Sequence, residues 1–300
     1  MGGALLSEGP CKRKPLASPA RAPSTAAALR MRWHMAACAR ILAAMHSPLR
    51  SAIPAETLLL AYRSGIFPMA DKREDPDIFW VEPRERAIIP LTRLHVSRSL
   101  RKVIRSDRFI VTVDGAFEQV IRACAEPRPG HPETWISERI IQSYTALHEA
   151  GHAHSIECWL ADESEAEKGP PPRLVGGLYG VAFDRVFCGE SMFSTMPNAS
   201  KVALVWLVAL MQQAGYQVLD CQFMTDHLAS MGAIEMPQRM YLEAIERARG
   251  EPRMSLGEAY RGFTRAAISG GKPRAGAGSD EPGAHSSPGK LIAQSLIQTS

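Results

Sequence analysis

Three hundred residues with a formal net charge of +4 suit one large domain or two modest ones, with ample material for a core. The longest unbroken apolar run, residues 202–211, is too short for a membrane-spanning helix and reads as a buried one. Eight Lys/Arg against one acid, Glu8, put +7 on residues 1–55 and leave −3 for the rest, so any nucleic-acid contact in the folded part needs a local basic patch.

Residues 1–50 are rich in Ala, Pro, Ser and Arg without sustained periodicity, and a basic, disordered extension is expected there. The composition suits either an organelle transit peptide or an over-extended start, with Met31, Met35 and Met45 as alternative first residues. A small N-terminal domain is expected over 51–130. It holds a helix over 56–64 closed by Gly65, a helix capped by Ser97 and running through Arg105, and a strand over 109–113. Asp114 is expected to cap a further helix that runs through Ala125. The Pro-rich stretch 126–134 marks the boundary to a main domain over 131–250. There a helix ends at Gly151 and the period changes to two. Strands are expected over 153–160, 173–183 and 186–194, the last two as a hairpin around Asp184-Arg185. A helix over 199–214, a strand over 217–223 and helices over 226–231 and 237–249 complete an α/β (α+β) fold. A tail over 251–300, Gly/Pro/Ser-rich in 269–289, is expected to be largely disordered. The six cysteines form no CxxC pair, and four sit in apolar surroundings, as expected of buried thiols in a reducing compartment.

Arg98, Arg101, Lys102 and Arg105 recur at i, i+3, i+4 and i+7 on one helix face, with Leu100, Val103 and Ile104 on the other. Four cations on one face repel each other, so a phosphate backbone would stabilise them; a merely solvated face is the alternative. His148-Glu149-Ala150-Gly151-His152 matches the H-E-x-x-H zinc motif, which works only when both histidines share a continuous helix. Gly151 predicts a helix end between them, so no metal site is expected. Asp220 and Gln222 alternate in a predicted strand and are expected to project together, with Cys221 opposed. A structural ion pair is the alternative for Asp220. Cys221 has no local base and reads as packing. Glu190 lies among Phe187, Met192 and Phe193, where an acid is either paired or functional. Gly176, Gly177 and Gly180 lack nucleotide-loop spacing and are expected to leave room for another backbone or, more specifically, a substrate.

Ala61-Tyr62-Arg63-Ser64-Gly65-Ile66-Phe67-Pro68, His95-Val96-Ser97-Arg98-Ser99-Leu100-Arg101-Lys102 and Thr134-Trp135-Ile136 form a distinctive set. Together with the stretches 152–157, 174–181, 189–194, 198–201 and 220–222, they closely resemble the leucyl/phenylalanyl-tRNA–protein transferase family over residues 53–248. The resemblance implies a cytoplasmic enzyme that moves Leu or Phe from aminoacyl-tRNA to the N-terminal Arg or Lys of a protein, marking it for N-end-rule degradation. It also implies a small N-terminal domain followed by a domain resembling the acyl-CoA N-acetyltransferase (GNAT-like) fold, and transfer without metal, cofactor or covalent intermediate. Asp220 and Gln222 match the family's proposed catalytic pair, and Glu190 its pocket acid. Trp135, Leu178, Phe187 and Leu219 match positions that shape the apolar pocket for the amino-acid side chain. Arg98, Arg101 and Lys102 match the patch that holds the tRNA acceptor arm, and Arg105 adds a fourth cation to that face. Met69 and Phe79-Trp80-Val81 depart from the family's frequent Phe-Pro-Trp and Trp pair, both at the expected pocket rim. The chain is expected to act as a monomer, without membrane contact, and to accept Met weakly.

Two other classes stay open. An acyl-CoA-dependent N-acyltransferase would need a Gln/Arg-x-x-Gly-x-Gly/Ala phosphate loop, which Met196-Pro197-Asn198-Ala199-Ser200-Lys201 lacks. A non-catalytic tRNA-binding module would not need Asp220, Gln222 and Glu190. For catalysis, Asp220 is expected to accept a hydrogen bond from the acceptor amine, with Gln222 orienting Asp220 or donating to the oxyanion.

Overall fold

The structure is a computed structural model that describes residues 52–75, 77–127, 133–161, 172–269 and 287–296. The basic extension and most of the Gly/Pro/Ser-rich stretch lie outside the described residues. Helix α1 (Ala55–Arg63) leads to a small antiparallel pair, β1 (Phe67–Met69) and β2 (Phe79–Val81). Strand β3 (Glu85–Ile89), a 3-10 turn (Leu91–Arg93), helix α2 (Arg98–Arg105), strand β4 (Ile110–Val113) and helices α3 (Phe117–Ala125) and α4 (Glu138–Glu149) follow. Next come β5 (Ala153–Leu160), β6 (Arg173–Phe183), β7 (Val186–Ser194), α5 (Ala199–Ala214) and β8 (Val218–Asp220). The remaining elements are α6 (Asp226–Ser230), β9 (Ile234–Pro237), α7 (Gln238–Arg247), α8 (Leu256–Ser269) and α9 (Pro288–Ser295).

Seven strands form one sheet in the order β4-β5-β6-β7-β8-β3-β9. Every pair is antiparallel except β7–β8, which α5 connects. The mixed α/β reading therefore holds. Strands β3 and β4, which precede the expected boundary at 126–134, pair into the same sheet as the strands that follow it.

Both faces of the sheet are covered. One packs against α5, with Leu100 and Ile104 of α2, Leu256 of α8 and Ile292 of α9. The other packs against α1, α3, α4 and α7 through Leu58, Val120, Ile140 and Tyr241. A strand buried on both sides gains from apolar residues at every position, and β6 is buried without a break from Val175 to Phe183. Helix α5 buries thirteen of its sixteen residues and ends where Gly215 turns left-handed at φ +83°.

Three expectations are revised. Asp114 does not cap α3; it sits at φ +58°, and its carboxylate accepts hydrogen bonds from Ser155 N (2.9 Å) and His154 Nδ1 (2.8 Å). The buried Glu157 of β5 instead accepts the N–H groups of Gly115 and Ala116 at the start of α3. Helices α8 and α9 occupy part of the C-terminal region expected to be largely disordered, and both reach the core. The glycines of β6 make room for the chain itself and not for a substrate. A Cβ on Gly176 would lie 2.5 Å from the Ala199 side chain, and one on Gly177 would lie 2.7 Å from Ile156 O. On Gly180 it would lie 2.3 Å from Cys188 O and 2.4 Å from the Phe187 ring.

Gly180→Ala should therefore overpack the β6–β7 seam and cost about 2–3 kcal/mol of stability. Urea unfolding measures this, and an unchanged midpoint would refute the packing assignment.

Candidate active site

The strand pairing that positions Glu190 is irregular. Tyr179 pairs with Ser191 and Gly180 with Gly189, which leaves Glu190 as the extra residue of a β-bulge in β7. A bulge breaks the in–out alternation and re-aims one side chain. Here it turns a carboxylate inward, 8% exposed, toward three hydrogen-bond donors. Tyr62 Oη donates to Oε1 at 2.7 Å, Gln222 Nε2 to the same oxygen at 2.8 Å, and Tyr144 Oη to Oε2 at 3.2 Å. The two tyrosine hydroxyls also bond each other. Burial pushes the Glu190 carboxyl up to about 7, against the pull of these donors, and the nearby Asp220 charge adds to the rise.

Strand β8 is shorter than expected, ending at Asp220. Up to Cys221 the alternation persists, so Leu219 and Cys221 line the cavity while Asp220 faces away from it. Gln222 then adopts φ +62°, which breaks the alternation and brings its amide back to the cavity wall beside Glu190. Asp220 and Gln222 thus do not share a strand face. They are linked instead by Gln222 N donating to Asp220 Oδ1 at 2.8 Å. Asp220 is fully buried, and its Oδ2 lies 2.8 Å from Arg86 Nη1. The ion-pair alternative for Asp220 is what the geometry contains. Burial pushes the Cys221 thiol up, with Asp220 adding to it, which leaves little thiolate at neutral pH and fits the packing reading.

The cavity has a volume of about 530 Å³. Trp135, Leu178 and Leu219 are among the residues that line it. Phe187 is not; it is fully buried against Gly180 in the core. Helix α5 contributes Ser200, Leu204 and Leu207 at i, i+4 and i+7, a stripe the sequence contains but which no motif singles out. Met69 forms part of the wall, and Phe223, 47% exposed, stands at the rim. Tyr62, Tyr144 and Arg86 escaped the sequence reading as site residues. Tyr62 sits inside the quoted Ala61–Pro68 stretch, but nothing local announces its reach to Glu190, 128 positions away.

On α2, Arg98, Arg101, Lys102 and Arg105 are all exposed, and none joins an ion pair among the described residues. Leu100 and Ile104 anchor the opposite face, and Ser97 Oγ accepts Leu100 N at 3.2 Å, as expected of the cap. In the H-E-x-x-H stretch, α4 ends at Glu149 and Gly151 turns at φ +80°, so the two histidines do not share a helix. The His148 ring stacks on Phe117 at 4.3 Å and donates from Nδ1 to Ala153 O.

Comparison with known proteins gives a consistent result. Residues 51–84 match the leucyl/phenylalanyl-tRNA protein transferase N-terminal domain, and residues 88–246 match the leucyl/phenylalanyl-tRNA protein transferase family. A leucyl/phenylalanyl-tRNA–protein transferase of Novosphingobium aromaticivorans is 53% identical over 268 residues, covering 83% of this chain and 97% of the relative. One of Zymomonas mobilis is 54% identical over 191 residues, covering 64% of this chain and 68% of the relative. Among solved structures, FemX covers 69% of this chain and 70% of its own at 12% identity, with a TM-score of 0.39, too low to support a conclusion. With the family models spanning most of the chain and a relative at this identity over nearly its whole length, the chain belongs to the leucyl/phenylalanyl-tRNA–protein transferase family and is a transferase.

Proposed function

We propose that this chain moves Leu or Phe, and Met more weakly, from aminoacyl-tRNA to the N-terminal Arg or Lys of acceptor proteins in the cytoplasm, marking them for degradation. The relatives' name supports the donor and the reaction class. The observation that carries the reading is the Gln222–Glu190 pair, set at the wall of a cavity otherwise lined largely by apolar side chains. The apolar part suits an aminoacyl side chain and the polar pair suits the reacting amine and ester. The acyl-CoA alternative lacks a comparable support, since the α5 start has no phosphate loop. An acetyltransferase-like C-terminal sheet, with a smaller N-terminal domain before it, belongs to the same proposal. Its support is the single parallel pair, β7–β8, in an otherwise antiparallel sheet.

The reaction exchanges an ester for an amide and is downhill, so positioning supplies most of what catalysis requires. A carboxylate can only accept hydrogen bonds, so Gln222 turns its Nε2 to Glu190 and leaves its Oε1 for an N–H of the acceptor amine. The amine lone pair attacks the ester carbonyl, the new C–N bond forms, the C–O bond to the ribose breaks, and the amine proton ends on the leaving oxygen. Glu190, with its carboxyl near 7, can accept that proton and return it at neutral pH. Asp220 is sealed behind the wall and holds Gln222 through its backbone N–H; contact with the amine falls to Gln222 and Glu190. The cationic face of α2 holds the tRNA through its phosphates, which gives strong salt dependence and little dependence on tRNA identity.

Incubation with Phe-tRNA or acetyl-CoA and a peptide beginning with Arg, followed by mass measurement, should show addition of Phe alone. Acetylation, or no addition, would refute the proposal. Arg98→Glu with Arg101→Glu should weaken Phe-tRNA binding and reduce the slope of log affinity against log salt by about 2. An unchanged slope would remove α2 from the tRNA site.

Between its ordinary 4.5 and about 7, Glu190 keeps a proton in the folded protein that the unfolded chain releases. Its contribution to stability therefore falls as pH rises through that window and is level above it. Glu190→Gln should gain on the order of 3 kcal/mol relative to the native protein between the two ends of the window. Parallel pH–stability curves in urea unfolding would show that Glu190 titrates normally.

A further inference from the structure

Arg86 lies on β3, outside every motif that drew attention in the sequence, and is 1% exposed. Its guanidinium uses all three nitrogens. Nη1 donates to Asp220 Oδ2 at 2.8 Å, Nη2 to the carbonyl of Gly65, and Nε to Gln238 Oε1 at 3.2 Å. The Phe67 and Tyr241 rings stand 5.1 and 4.5 Å from its central carbon, so the plane of the fork is held as well as its ends. Gln238 closes the arrangement by donating from Nε2 to the same Gly65 carbonyl at 2.9 Å.

Each contact leads toward the reacting groups. With Oδ2 on Arg86, Asp220 presents Oδ1 to Gln222 N, the bond that holds Gln222 in its left-handed turn. Gly65, at φ +76°, ends the turn after α1, the helix that carries Tyr62 to Glu190. One planar cation therefore ties the β8 end that aims the Gln222 amide to the α1 end that aims the Tyr62 hydroxyl. A stacked guanidinium that donates in three fixed directions within one plane has this geometry built in, and an ammonium does not.

We propose that Arg86 is a positioning residue for aminoacyl transfer, holding Gln222 and Tyr62 in register on the same oxygen, Oε1, of Glu190. The proposal rests on the transferase reading above for its kinetic readout and on amide exchange for a readout that does not. With full-length protein, Phe-tRNA and an Arg-initiated peptide, Arg86→Met should lower kcat by about 100-fold, the scale expected when reacting groups move by about 1 Å. The KM for Phe-tRNA should change by less than about threefold, because phosphate contacts on α2 set it. Arg86→Lys, which keeps the charge but not the fork, should recover about tenfold of the loss. In NMR hydrogen exchange, the Gln222 N–H should exchange about tenfold faster in both variants while the amides of β6 keep their protection. Native kcat in either folded variant, a KM rise matching the kcat loss, or an unaltered Gln222 exchange rate would overturn the proposal. If Arg86→Met unfolds globally, Arg86→Lys decides by the same criteria. If the native protein transfers nothing, the transferase reading fails, and the Gln222 exchange rate still decides whether Arg86 positions it.

Discussion

Two opposite charges with almost no exposure, Arg86 and Asp220, stand 2.8 Å apart where the N-terminal segment meets the central sheet. Removing two such ions from water costs several kcal/mol each, and an apolar pair of similar volume would hold β3 against β8 as well or better. The bridge tolerates that cost because every remaining polar atom around it is engaged. Gly65, Gln238 and the Gln222 N–H complete its hydrogen bonds, and two aromatic rings flank the cation. What the pair contributes is geometry. Loss of one partner would leave the other charged and unsolvated, at a cost of about 3–5 kcal/mol, so the two are bound to one arrangement.

That arrangement makes Glu190 chemically distinctive. A carboxylate accepting from two tyrosines and an amide would ordinarily be stabilised in its charged form and titrate low. Here burial outweighs the three donors and the Asp220 charge opposes them, so the group sits near neutrality. The bulge in β7 is the backbone device responsible, since a regular strand would direct Glu190 by simple alternation with Ser191 and Gly189. Close backbone contact between Gly180 and Cys188 lets β6 and β7 meet beside the irregularity.

Much of this fold was legible in the sequence. The periods of β5, β6, β7 and α5 predicted their bounds residue for residue, because long elements with one or two buried faces repeat their signal many times. The short strands β1, β2, β3 and β9 were not legible. Three to five residues carry no period, and Glu85-Arg86-Ala87-Ile88-Ile89 places a charge where a central strand should be apolar. Glu190, Asp220 and Gln222 were identifiable as acids and an amide in apolar surroundings, yet their relation was misjudged. The left-handed turn at Gln222 has no glycine to announce it, and the bulge at Glu190 depends on its partner strand. Arg86 and the two tyrosines were illegible for a related reason: Glu190 lies 128 positions from Tyr62 and 46 from Tyr144, and Asp220 lies 134 from Arg86.

Catalysis by alignment asks for a different kind of site from catalysis by a reactive nucleophile. The cavity's one thiol, Cys221, is pushed by burial away from its reactive form, and the hydroxyls near Glu190 are held far above their ordinary range by the same cause. At this site it is Glu190 that is moved toward neutrality, and it is braced on both oxygens. For an ester already activated toward amines, raising the reactivity of a side chain would invite hydrolysis, whereas fixing the amine against the carbonyl accelerates the wanted step. An apolar cavity distinguishes side chains differing by one methylene by only about 1–3 kcal/mol, so it sets a size class and not a single amino acid. Donor choice in the proposed reaction then follows from cavity shape and phosphate contacts, while the chemistry follows from a rigid polar layer behind the wall. A rigid layer built on buried charges tolerates little change, and this is why its backbone turns, at Gly65 and Gln222, are tied to the same ion pair.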